Sequence, residues 1–172
     1  ADNGTVYPVL QRDGLGGLVA DTLYRTISIY EPLPQEDGKE TAAQLYSCQL
    51  VLSMNPLAEK AFKGQIKTDP VDIQSIWLSG NYVNMILLVQ YKDQTHAYHF
   101  IDEGFTANED GTRTLNLRLY HDRRNDYEAF TKQAYLSVPL KKYLQSLQKG
   151  DKIRFYLNTY KEQETYREFD YQ

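Results

Sequence analysis

Cysteine is nearly absent. Cys48 is the single one in 172 residues, so the chain cannot close a disulfide on itself. Its place in the strand-like run Leu45 to Met54 reads as a small buried hydrophobe rather than a reactive thiol. Long apolar runs are missing too. The longest, Met85 to Val89, is far short of the ~20 residues of a membrane-spanning helix. Positive charge is not in excess: 19 Lys and Arg against 23 Asp and Glu leave a net −4, which gives a nucleic-acid partner no electrostatic support. Gly-x-Ser-x-Gly, Cys-x-x-Cys and His-Glu-x-x-His are all absent, and no histidine stands at a hydrolase spacing from a nucleophile and a carboxylate. The glycine cluster Asp13-Gly14-Leu15-Gly16-Gly17 lacks the Lys-Ser/Thr of a phosphate loop and precedes a strand-like segment, so it reads as a turn.

What is present is alternation. Val83, Met85, Leu87 and Val89 interleave with Tyr82, Asn84, Ile86, Leu88 and Gln90. After a polar break at Lys92 to Thr95, Ala97, His99 and Ile101 oppose Tyr98 and Phe100. Two such runs joined by a short polar loop predict a hairpin. Leu115, Leu117 and Leu119 alternate with Asn116, Arg118 and Tyr120, and Ile153, Phe155 and Leu157 alternate with Arg154, Tyr156 and Asn158. Leu18 to Tyr30 and Ala42 to Ser53 are further strands, separated by the proline-rich charged loop Glu31 to Thr41. Val6 to Leu10, carrying Pro8, is an edge-strand candidate, and Glu162 to Gln172 adds a last edge strand. Pro56 to Phe62 and Leu140 to Leu147 are the two short helical segments. Strands dominate, so the fold class is all-β. A boundary near residue 68 divides a small barrel over 1–68 from a β-sandwich over 69–172.

Several polar clusters carry groups capable of chemistry. His121, Asp122, Asn125 and Asp126 could hold an ion, but Arg123 and Arg124 lie among them, and Asp side chains capping turn amides account for the pattern. His96 and His99, three apart on a strand, point to opposite faces and cannot share a metal. Asp102-Glu103 and Glu109-Asp110 are solvated pairs in a polar loop. No cofactor or metal is expected. Fifteen tyrosines are a heavy load. Tyr98, Tyr156, Tyr160, Tyr166 and Tyr171, with Arg154 and Asn158, form the best candidate partner surface, for protein or glycan. A planar aromatic row would favour a glycan, and an apolar patch with a polar rim would favour a protein.

Four stretches carry a family resemblance: Gly80 to Tyr91, the His-x-x-x-x-Ile stretch from His96, Leu117 to Asp126, and Tyr135 to Leu140. Gly80, Tyr82 and Asn84 match a Gly-x-Tyr-hydrophobic-Asn strand. His121 and Asp126 match a following turn, with Tyr120 where Arg is usual. Ser137 and Leu140 match a last strand, with Pro139 where an acidic residue is usual. On these residues the chain resembles the NigD-like proteins of Bacteroidetes over about residues 70 to 160. The resemblance implies an amino-terminal OB-like barrel, and export as an envelope lipoprotein anchored through a cysteine that would precede Ala1. The family name comes from a bacteriocin operon whose product is assigned an immunity role. The expectation is a non-catalytic envelope protein that binds a protein partner, with a bacteriocin-type toxin among the candidates. The alternative is a carbohydrate-binding accessory protein.

Overall fold

The computed structural model describes residues 1–11, 13, 18–19, 21–34 and 40–172. Most of the glycine turn and the middle of the 31–41 loop lie outside the described residues. The chain divides into two compact units, Ala1–Leu52 and Ser53–Gln172.

In the first unit β1 (Thr26–Leu33) and β2 (Ala42–Leu50) pair antiparallel, with a bulge between Ile29 and Tyr30. Val9 adds one isolated bridge to Ala43. Among the described residues these elements close no barrel, which corrects that expectation. The Val6 to Leu10 strand reduces to one bridge, and the Leu18 to Tyr30 strand starts only at Thr26. Two strands are too few to return on themselves. β1 also runs on through Glu31 and Pro32, which the sequence suggests are loop; proline is tolerated there because a two-stranded ribbon is all edge.

The second unit is a β-sandwich. Its strands are β3 (Leu52–Ser53), β4 (Leu57–Ala58), β5 (Asp72–Ser79), β6 (Tyr82–Tyr91), β7 (Ala97–Ala107), β8 (Arg113–Asp122), β9 (Phe130–Pro139), β10 (Lys152–Leu157) and β11 (Thr165–Asp170). One sheet has the order β3-β9-β6-β5, and the other β11-β10-β8-β7-β4. The β8–β10 and β4–β7 pairings are parallel. Residues 53–68 belong with this unit because Leu57 and Ala58 pair with Ile101 and Asp102, and Thr68 bridges His121. The division therefore falls before the Asp69-Pro70 turn rather than at it.

The hairpin expected from β6 and β7 does not form. β6 pairs with β5 and β9, and β7 with β8 and β4, so Lys92 to His96 arches from one sheet to the other. Both strands alternate toward one core, which is why their patterns look like a pair. The true hairpin is β5–β6, closed by Ser79 and Tyr82 across Gly80-Asn81, with Gly80 at φ +54°. Val83, Met85, Leu87 and Val89 face Leu115, Leu117, Leu119, Ile153, Phe155 and Leu157 across the core. Phe100 meets Phe155 edge to face at 6.1 Å. Each such side chain contributes about 1.5–3 kcal/mol of burial.

β7 continues past Ile101 through a bulge at Asp102–Gly104, so Asp102 and Glu103 are strand residues rather than loop. The helical segment at Leu140 to Leu147 shortens to a 3₁₀ turn at Lys141–Tyr143, while Leu140, Tyr143 and Leu147 keep the burial that their spacing implies. No helix among the described residues is long and apolar enough to cross a membrane.

Candidate functional site

Two groupings in the sandwich bear on function. One is internal. Tyr98 and His121 are direct cross-strand partners on the core side, and their rings stack at 4.8 Å and 1°. His121 is 1% exposed. Its Nδ1 lies 2.9 Å from the Asp69 carbonyl, which can only accept, so the proton sits on Nδ1. Burial disfavours the His121 cation and lowers its pKa, and a neutral ring leaves Nε2 as an acceptor. His96 Nδ1, at 2.9 Å, donates to it. His96 Nε2 then faces Asp126 Oδ2 at 3.3 Å. Burial works to raise the Asp126 pKa, but amides from Lys92, Asp93, Gln94 and Tyr127 outweigh it and the net shift is downward. His96 therefore bridges the neutral His121 ring and the Asp126 carboxylate. The same carboxylate takes the amides of Lys92 at 2.8 Å, Asp93 at 3.2 Å and Tyr127 at 2.9 Å, so it ties the β6–β7 arch to the β8–β9 turn.

The other grouping lies on the solvent face of the five-stranded sheet. Tyr156 and Tyr166 are register partners with ring centroids 5.6 Å apart. Arg118 lies over Tyr156 at 5.0 Å and Arg154 over Tyr166 at 4.5 Å. Arg118 binds Glu103 and also Glu164 at 2.6 Å, while Arg154 at 2.6 Å and Lys152 at 2.8 Å share Glu168. Burial acts against the Arg118 charge, yet Glu103 and Glu164 outweigh it and raise its pKa. Lys152 and then Arg154 hold the Glu168 carboxyl below its ordinary range. Three cations meet three carboxylates in this ladder, and Glu103, Arg118, Arg154, Tyr156 and Glu164 line a groove of about 360 Å³. The rings tilt by 57° and each carries a guanidinium, so they form no planar row open to a sugar.

The residues singled out in the sequence separate accordingly. Tyr156, Tyr166 and Arg154 join the ladder. Tyr98 points inward. The Tyr160 hydroxyl accepts the Gln90 amide at 2.9 Å, and the Asn158 amide donates to the Thr68 carbonyl at 2.9 Å. Tyr171 lines a groove at the opposite, open side of the sandwich. His121, Asp122, Asn125 and Asp126 do not converge. The Asp122 carboxylate accepts the Arg124 amide at 2.8 Å, and the backbone turns through positive φ at Arg124 and Asn125. His99 lies on the other face from His96, edge-on to Phe62. Asn84 pairs with Ser137 in register and accepts its hydroxyl at 2.8 Å, which locks β6 to β9. Asp102 takes Lys142 at 2.8 Å and the Gly104 amide at 3.0 Å, and Asp110 takes the Thr112 amide at 3.0 Å. Sequence reading missed Arg118, Glu103 and Glu168. The alternation puts Arg118 and Tyr156 on solvent faces, but only the parallel β8–β10 pairing sets them side by side.

Residues 53–171 match the family described as the NigD-like C-terminal beta sandwich domain. Among solved structures, a NigD-like immunity protein from Bacteroides caccae ATCC 43185 is 29% identical over 99% of this chain and 88% of its own, with a TM-score of 0.72. A protein of unknown function from Bacteroides vulgatus ATCC 8482 is 20% identical, with 99% and 81% covered and a TM-score of 0.74. A candidate lipoprotein from Bacteroides fragilis NCTC 9343 is 13% identical, with 99% and 90% covered and a TM-score of 0.62. The last two are likenesses of fold alone. No curated protein matches the chain in sequence.

Proposed function

The chain belongs to the NigD-like family, and on that premise we propose that it is a non-catalytic, lipid-anchored envelope protein that binds a protein partner. The binding face is the Arg118–Tyr156–Tyr166–Arg154 ladder. One observation carries this reading: arginines stacked on tyrosines and held by carboxylates on an open sheet face. Part-exposed ion pairs add only about 0–1 kcal/mol each to stability, so the ladder is poorly explained as a stabilising device. Rigid Tyr and Arg side chains are what protein interfaces use as anchors. The occupied, tilted rings count against the glycan alternative. Of the paired carboxylates in the sequence, Asp102, Glu103 and Asp110 are tied to Lys142, Arg118 and Thr112, which supports a non-enzymatic role. The immunity role named for the Bacteroides caccae relative supports a toxin-type partner.

The test is capture from the envelope fraction of a Bacteroides host, with the tagged chain as bait and mass spectrometry as readout. One stoichiometric protein is expected, and Arg154→Ala should cut its retention at least tenfold while leaving Trp77 fluorescence unchanged. Retention by a polysaccharide column with no protein captured would replace this reading with the glycan one.

A further inference from the structure

The two sheets present four edges, and three are guarded. β3 and β4 are two residues long. β11, Thr165–Asp170, carries Arg167, Glu168 and Asp170. Short strands and charges of this kind discourage pairing with a further strand. β5 is the exception. Its eight residues, DIQSIWLS, hold one charge at the first position and no lysine or proline. The Gly80-Asn81 turn makes Ser79 and Tyr82 a hydrogen-bonded pair, so the amides and carbonyls of Leu78 and Ile76 alternate away from β6. No strand is hydrogen-bonded to them among the described residues.

A groove of about 570 Å³ runs along this edge, lined by Ile76, Trp77, Leu78, Phe169, Asp170 and Tyr171 among others. Ile76, Leu78, Phe169 and Tyr171 all pack against the core, yet none is fully buried. The seam of the sandwich is open where one more strand would cover it.

We propose that β5 and this groove form an acceptor site for an extended segment of another protein, apolar at alternate positions and carrying a basic residue beside Asp170. Backbone pairing with Ile76 and Leu78 supplies affinity, and every second side chain of the segment enters the seam. Asp170, exposed and charged in the lining, sets the sign of the polar contact. A second copy of β5 fits less well. Its own Ile76 and Leu78 already face its own core, so it has nothing to place in the groove. The site is separate from the ladder and does not rest on the function proposed there.

Titration of the whole chain with a synthetic octapeptide, capped at both ends and alternating valine and threonine behind one lysine, tests this. Trp77, the single tryptophan, lies in the groove and reports binding. The expected result is a saturable shift of its emission to shorter wavelength and at least tenfold slower hydrogen exchange at the Ile76 and Leu78 amides. A peptide with proline at its centre should do neither. Asp170→Lys should weaken binding of the lysine peptide three- to tenfold and favour the same peptide with glutamate instead. No saturable response at millimolar peptide, or an equal response to the proline peptide, would overturn the proposal. So would protection of Ile76 and Leu78 that rises with the chain's own concentration and no peptide, since the edge would then belong to a second copy.

Discussion

His121→Phe isolates the hydrogen bonds of the buried histidine chain. Phenylalanine preserves the ring that stacks on Tyr98 at 4.8 Å, while both ring nitrogens are lost. Two groups then lose partners: the Nδ1–H of His96 and the carbonyl of Asp69. A buried polar group left unpaired costs about 1–3 kcal/mol. Asp69 is half-exposed, so water replaces part of its bond. The sum is roughly 2–4 kcal/mol, reduced by about 1 kcal/mol for the more apolar ring. With a urea slope near 2 kcal/mol/M, the unfolding midpoint followed by Trp77 fluorescence falls by about 0.5–1.5 M. The loss also depends on pH. The folded-state pKa of His121 is depressed, so the unfolded chain takes up its proton more readily. Wild-type stability is intact above the ordinary histidine pKa of about 6.5 and declines as the pH falls below it. The phenylalanine variant lacks that decline, and the gap between the two proteins narrows in acid. A midpoint unchanged at pH 8, or a gap independent of pH, would refute the assigned donors and acceptors.

Other outcomes follow from the same packing. Phe155→Ala, which empties a fully buried site facing Phe100, should cost about 3–5 kcal/mol in urea unfolding. Asp126→Ala should release the amides of Lys92, Asp93 and Tyr127, raising their hydrogen exchange at least tenfold while β10 amides stay protected. Gly104→Ala sits at φ +80° with nothing near its added Cβ, so backbone strain alone should cost about 1–2 kcal/mol by thermal melt. The depressed carboxyls of Asp126 and Asp151 should withdraw stability as the pH falls through about 4, seen as a lower melting temperature at pH 3 than at pH 5.

Strand parity was legible in the sequence, because burial on one face forces alternation. Leu115, Leu117 and Leu119, and Ile153, Phe155 and Leu157, face the core as their spacing says. Pairing was not legible. Met85 and Phe100 alternate toward the same core whether their strands share a sheet or oppose each other across it, and only the arch tied by Asp126 decides. The Asp102–Gly104 bulge hid because Asp-Glu-Gly is also a turn signal. The ladder residues were half visible. Tyr156, Tyr166 and Arg154 follow from exposed positions, while Arg118 needs a parallel partner dozens of residues away. Likewise His96 and His121 read as unrelated structural histidines until the fold sets them 2.9 Å apart. Among the described residues the expected amino-terminal barrel does not close, because strand-like composition does not guarantee a neighbour to pair with.

The parallel β8–β10 ladder has a consequence for how the chain comes into being. Thr114 must wait for Lys152, and Tyr82 for Pro139, before either central ladder can close. At a synthesis rate of about 5–20 residues per second, the stretch from β6 to β10 takes several seconds to emerge. Non-local β topologies then need a further milliseconds to seconds to fold. Throughout that interval the core that Met85 to Val89 enter is incomplete, and its closure waits for β9 and β10.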